Sequence, residues 1–169
     1  MHNNIMLLML IFMNVLIGCQ SMNSSSVPAH ILPGVVLVSR SGSFIRIGPD
    51  GQVNGTLHCN DDYARLEIQA VAPGLVYIKG IQSGLMLAMA GKRNVLARKN
   101  ILPAILHPDN RDILWREEAL LGTCFKTYKS FLEKNDLKRL SRYLALNASG
   151  RPAVSTSKYV SRSHFLKMN

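Results

Sequence analysis

Three stretches of this chain decide its fold when they are set one above another. Residues 44–53 read FIRIGPDGQV, residues 86–95 read MLAMAGKRNV, and residues 143–152 read YLALNASGRP. Each begins with a large apolar residue, then has Ile or Leu second and Ile, Met or Leu fourth. A turn follows in each: Gly48-Pro49-Asp50-Gly51, Ala90-Gly91-Lys92-Arg93 and Asn147-Ala148-Ser149-Gly150. Alternation with period two, broken by turn residues, is the pattern of a half-buried hairpin. The three copies start 42 and 57 residues apart. Internal repetition at about this period marks a fold built from one repeated supersecondary unit. Three hairpin units of roughly 42 residues predict an all-β chain, a β-trefoil with a pseudo-threefold repeat of hairpins. The longer second interval requires about 15 extra residues. Lys99–Arg111, with Pro103 and Pro108, is the first place for them and Glu133–Leu140 the second, because added length costs least in surface loops.

The remaining apolar runs agree with strands. Val35–Val38 stops at Ser41-Gly42-Ser43. Leu66–Val71 alternates, and Pro73-Gly74 turns it into Leu75–Ile78. Leu85–Met89 and Asn94–Ala97 follow. No long stretch keeps helical spacing. Phe44, Ile47, Ile68, Ile78, Leu87, Met89, Tyr128 and Leu146 are the expected core.

The N-terminal segment is of another kind. Residues 5–17, IMLLMLIFMNVLI, form an apolar run of about 13 positions broken once by Asn14, too short to span a bilayer, and match the apolar region of a secretory signal peptide. The expectation is a signal peptide over residues 1–21, cut near Ser21, a flexible Ser-rich leader over 22–34, and the β-trefoil domain over 35–169. A rival reading is a bacterial lipoprotein box at Leu16-Ile17-Gly18-Cys19, with lipid on Cys19. Secretion gives meaning to three glycosylation sequons, at Asn23, Asn54 and Asn147, and to Cys59 and Cys124, which in an oxidising compartment can form one disulfide.

The chain of 169 residues is 47% hydrophobic, enough for a packed core, and carries 20 Lys and Arg against 10 Asp and Glu, a net charge of +10. Every one of these charges lies after residue 21. Residues 134–169 hold Lys134, Lys138, Arg139, Arg142, Arg151, Lys158, Arg162 and Lys167 against Asp136 alone. Such an excess calls for a polyanionic partner. Catalysis has little to stand on. Glu117 and Glu118 are adjacent, so on a strand they face opposite ways and make no acid–base pair. Neither His-x-x-x-His nor Cys-x-x-Cys spacing suggests a metal. The chain reads as a non-enzyme that needs no cofactor.

At these residues the sequence resembles the fibroblast growth factors. The match covers about residues 35–169, and its most specific parts are Gly42–Gly55, Leu66-Glu67-Ile68-Gln69-Ala70 and Gly74–Gly80. Met86-Leu87-Ala88-Met89, Trp115-Arg116-Glu117-Glu118, Phe125–Ser130 and His164–Met168 look like further family segments. The resemblance implies a secreted growth factor that binds and activates a receptor tyrosine kinase, with heparan sulfate as co-ligand. Implied receptor contacts are Leu37, Phe125, Leu166 and Met168. Implied heparan sulfate contacts are Arg40, Arg151, Lys158 and Arg162, with Lys138, Arg139 and Arg142 as added cations. The chain departs from the family pattern at Ile113, where a cysteine is usual, at Ser155, where the second glycine of the sulfate loop is usual, and at Asn147 and Ala148, where two basic residues often stand. A secreted trefoil lectin and a trefoil protease inhibitor are the rivals. The lectin would need sugar-stacking aromatics, but there is one Trp. The inhibitor would need an exposed reactive loop, for which Lys99–Arg111 could serve.

Overall fold

The computed structural model describes residues 34–91, 94–100, 107–131 and 141–169. The chain divides into two units, residues 1–33 and Gly34–Asn169. The first unit, and with it the expected signal peptide, most of the leader and Asn23, lies outside the described residues. So do all of residues 133–140, including Lys138 and Arg139, and residues 101–106 of the other expected insertion.

The second unit is made of strands. In chain order they are β1 (Val36–Ser39), β2 (Phe44–Ile47), β3 (Val53–Thr56), β4 (Leu66–Ala72), β5 (Leu75–Gly80), β6 (Met86–Ala90), β7 (Asn94–Arg98), β8 (Leu114–Ala119), β9 (Lys126–Ser130), β10 (Tyr143–Leu146), β11 (Pro152–Ser155) and β12 (Phe165–Met168). Short 3-10 segments, Asp62–Ala64, Pro108–Ile113 and Ser161–Ser163, precede β4, β8 and β12. The same unit, three strands, a 3-10 turn and a fourth strand, thus occurs three times.

Six strands close on themselves. Antiparallel pairs join β4 to β5, β5 to β8, β8 to β9, β9 to β12 and β12 to β1. The ring is completed between β1 and β4 by the bridge Val35↔Leu66, which exchanges two backbone hydrogen bonds of 2.9 and 2.8 Å. Closure of this kind removes exposed sheet edges. The hairpins β2–β3, β6–β7 and β10–β11 are joined to β1, β5 and β9 at Val38↔Phe44, Lys79↔Met86 and Lys129↔Tyr143. A six-stranded barrel with three hairpins in pseudo-threefold repetition is the β-trefoil, as the repeats predict.

The repeat alignment becomes a physical layer. Ile45, Leu87 and Leu144, the second residues of the three stretches, and Ile47, Met89 and Leu146, the fourth, belong to one buried cluster. Each is at most 1% exposed. Burying one such side chain contributes about 2 kcal/mol. Barrel strands add Leu66, Val76, Ile78, Trp115, Tyr128 and Phe165 to the same cluster. The indole Nε1–H of buried Trp115 donates to the Leu87 carbonyl at 3.0 Å, so its polar group is satisfied. Ile68 is half-buried and packs against the cluster.

The first and third hairpins turn in the same way. Gly48 N–H donates to Gln52 O and Gly51 N–H to Gly48 O; Asn147 N–H donates to Arg151 O and Gly150 N–H to Asn147 O. Gly51 (φ +80°) and Gly150 (φ +74°) occupy the left-handed region these turns need. Hairpins also touch through bare backbone. Gly55 N–H donates to Gly150 O at 2.6 Å, and Ala97 N–H to Gly51 O at 2.8 Å.

The extra length is divided between two connections. β2 and β4 start 22 residues apart (44 to 66), as do β10 and β12 (143 to 165), whereas β6 and β8 start 28 apart (86 to 114). The second long connection runs from β9 to β10. β3 and β11 are not legible in the sequence because Asn54-Gly55 and Pro152 are poor strand formers. Hairpin pairing holds them in place instead.

A Cβ at Gly55 would stand 2.9 Å from Gly150 Cα and 3.0 Å from its carbonyl oxygen. Gly55→Ala is expected to destabilise the fold by roughly 1–3 kcal/mol, since backbone on both sides must shift. A fall in the urea midpoint at unchanged m-value measures it.

Candidate receptor and polyanion surfaces

Leu37 corrects the expected receptor set. It sits on β1 at 0% exposure, inside the core cluster, so no partner reaches its side chain. The physical reason is strand alternation: Leu37 points into the barrel. Phe125, Leu166 and Met168 are half-buried at the surface. β12 carries the last two and pairs with β1 at Val38↔Leu166 and Val36↔Met168. Phe125 immediately precedes β9, and its ring lies 6.1 Å from that of His164, centroid to centroid.

Cys59 and Cys124 are both free thiols, so they form no disulfide. Cys59 follows the first hairpin and Cys124 lies in the β8–β9 turn, in different repeats.

Beneath this surface Glu117 organises β8 and β9. Its Oε2 accepts from Lys126 Nζ at 2.8 Å and its Oε1 from the Tyr128 hydroxyl at 3.0 Å. Burial, reinforced by the Glu117 charge, raises the Tyr128 pKa well above the ordinary phenol value. Tyr77 is pushed up to about 12 by burial and by its bond to Glu67; its hydroxyl also meets Gln69. Glu118, on the opposite side of its strand, pairs with Lys158 at 3.3 Å and raises the pKa of that ammonium.

The expected sulfate contacts therefore differ in what they have free. Arg151 and Arg162 are exposed, and no carboxylate among the described residues pairs with either. Lys158 is partly neutralised by Glu118 and lies 5.6 Å from the centroid of the exposed Tyr159 ring. Arg142 is half-buried, and its Nη1 donates to the Gly91 carbonyl at 2.6 Å, which ties the third repeat to the second hairpin turn. Arg40 is exposed, but its guanidinium lies over Phe125, 5.5 Å from the ring centroid. Asn147 braces its own turn: its Oδ1 accepts from Ser149 N–H, Ser149 Oγ–H and Arg151 N–H. An asparagine thus supplies the local geometry at the position where a base is usual. Asn54 is half-buried on β3, opposite Arg46.

Sequence reading missed one basic feature. Arg116 on β8 stands directly opposite Lys129 on β9. Their separation in the chain hides this, and only the register brings the two charges together. Among the described residues, no group of three or more His, Cys, Asp or Glu side chains is placed to hold a metal ion. No helix there is long and apolar enough to cross a membrane.

Tyr128 and Tyr77 have folded pKa values above their unfolded ones, so the stability they contribute is complete below about pH 10 and is lost as pH rises through 10 to 12 and beyond. Tyr128→Phe is expected to cost about 2 kcal/mol at neutral pH, by losing a bond to a carboxylate, and to flatten the alkaline fall in the denaturation midpoint. Arg116→Glu replaces a like-charged cross-strand pair by an opposite one. It is expected to stabilise the fold by about 0.5 kcal/mol, read from the same midpoint and diminished by salt.

A family model described as fibroblast growth factor matches residues 35–166. The chain is 31% identical over 134 residues to fibroblast growth factor 7 of Homo sapiens, covering 78% of this chain and 63% of that protein. The chain thus spans less than two thirds of that relative's length. It is 29% identical over 133 residues to fibroblast growth factor 1 of Cynops pyrrhogaster, covering 79% of this chain and 78% of that one. It is 31% identical over 130 residues to fibroblast growth factor 2 of Ovis aries, covering 76% and 74%. With a β-trefoil fold and a family match across nearly all of it, this chain belongs to the fibroblast growth factor family of signalling growth factors.

Proposed function

We propose that this chain is a secreted ligand that binds and activates a receptor tyrosine kinase, with heparan sulfate as co-ligand, and so stimulates proliferation, migration or differentiation. The observation that carries the reading is that the β-trefoil unit bears two unlike kinds of surface residue. Phe125, just before β9, and Leu166 and Met168 on β12 are half-buried apolar side chains, and Arg151 and Arg162 are exposed cations on the third repeat with no carboxylate partner among the described residues. Apolar side chains at the surface suit a protein partner, and free guanidinium groups suit sulfate. The mechanism is assembly. The ligand holds a receptor ectodomain and a polysaccharide together and brings two kinases into reach of one another, while the ligand itself does no chemistry.

Within the polyanion surface the free cations carry most of the attraction. Counterions released from a sulfated chain make such binding weaken with salt. Arg151 and Arg162 lead, Lys158 adds less because Glu118 holds it, and Lys138, Arg139 and Arg142 extend the set. A glycan on Asn147 would stand on the same turn as Arg151 and compete with the polysaccharide. Glycans on Asn23 and Asn54 are part of the same secretory reading.

Receptor phosphorylation on responsive cells, with and without soluble heparin, tests the function. Phosphorylation that heparin enhances is expected, and none in either condition overturns the ligand reading. The double variant Arg151→Ala, Lys158→Ala is expected to leave a heparin column at distinctly lower salt. Unchanged elution removes the third-repeat loop from the polyanion surface.

A further inference from the structure

We propose that Arg40, Phe125 and His164 form one composite recognition surface, and that its partner is a protein segment bringing a carboxylate to Arg40 beside an apolar side chain on Phe125. The inference rests on the receptor-ligand reading above. It moves Arg40 from the polysaccharide set to the protein interface.

Arg40 is the first residue after β1. Its backbone N–H donates to the His164 carbonyl at 3.0 Å, which fixes where its side chain starts. The guanidinium lies over the Phe125 ring, 5.5 Å from the centroid, and Nη1 is 3.5 Å from His164 Nδ1. His164 is buried, at 7% exposure, and its Nε2 is 2.8 Å from the Lys158 carbonyl oxygen. A carbonyl only accepts, so Nε2 carries the hydrogen. Nδ1 is left as an acceptor, turned toward a guanidinium that only donates. The tilted His164 ring also packs against Phe125. The arginine is thus held by backbone, imidazole and phenyl ring, and its charge is pre-ordered rather than free to sweep the solvent.

That charge has no counter-ion among the described residues. Both neighbouring carboxylates on β8 are engaged, Glu117 by Lys126 and Tyr128, and Glu118 by Lys158. Leu166 and Met168 lie on β12, the strand paired with β1, so the cation stands at the margin of these apolar side chains. A fixed cation beside half-buried apolar side chains is complementary to an Asp or Glu flanked by an apolar residue. Stacking on Phe125 uses the face of the Arg40 guanidinium and leaves its N–H edge to meet an anion. What favours a carboxylate on a protein segment over a sulfated chain here is the apolar side chains beside it, which a polysaccharide has no group to cover.

Four proteins test this: wild type, Arg40→Gln, Arg40→Lys and Arg151→Gln. Each is measured for binding to soluble fibroblast growth factor receptor ectodomains and for elution from heparin. Arg40→Gln and Arg151→Gln remove the same charge, so their difference reports position. The expected result is an ectodomain affinity about tenfold weaker for Arg40→Gln, close to wild type for Arg151→Gln, and only partly recovered by Arg40→Lys, which keeps the charge but loses the planar stack. Heparin elution is expected to fall more for Arg151→Gln than for Arg40→Gln. The inference alone is overturned if wild type binds an ectodomain and Arg40→Gln binds it equally well, or if Arg40→Gln loses the larger share of heparin retention. If wild type binds no ectodomain, the receptor reading fails and takes this inference with it.

Discussion

Six aliphatic side chains from three separate hairpins must share one apolar volume, and the rest of the molecule is arranged around that requirement. Ile45, Leu87 and Leu144 meet Ile47, Met89 and Leu146 in the core cluster, with Trp115 anchored beneath through the Leu87 carbonyl. No hairpin of four- and five-residue strands buries such a face alone. The three must therefore come together, and they do so closely enough for backbone to meet backbone at Gly55 and Gly150. The barrel below is closed by the Val35↔Leu66 bridge, which joins the first repeat's own first and last strands. Once closed, it fixes which residues of β8, β9 and β12 face outward.

Charge is used unevenly on that outer surface. Of the eight Asp and Glu side chains among the described residues, five are spent internally: Asp61 on Arg46, Glu67 on Lys79, Asp112 on Arg98, Glu117 on Lys126 and Glu118 on Lys158. These pairs brace strands and turns. Asp61, for one, also accepts from Tyr63 N–H at the start of a 3-10 segment. With these acids occupied, Arg151 and Arg162 on the third repeat and Arg40 near Phe125 keep their charge without a carboxylate partner among the described residues. Lys158 and Arg142, which look equivalent to Arg151 by count, are not, because one answers a carboxylate and the other a carbonyl.

The fold was legible because its core positions recur at a constant place in three copies of one motif, and period-two alternation survives as burial. The family was legible in Gly42–Gly55 and Leu66–Gly80. The candidate surfaces were legible only in part. Leu37 fits the resemblance by position, but its burial depends on which way β1 faces the barrel. Cys59 and Cys124 offered a disulfide by number alone, and they stand in different repeats as free thiols.

By itself the sequence determined a repeated all-β chain with an unbalanced positive charge, since periodicity and composition are properties of the chain read along its length. Only the tertiary structure decided which charges remain free and which aromatic residues they meet. Arg40 and Phe125 are 85 positions apart, and Arg116 and Lys129 are 13 apart. Barrel closure brings the first pair into contact, and strand register brings the second. An ion pair or a stacked ring is a matter of a few ångströms in space, and such distances are set when the barrel closes.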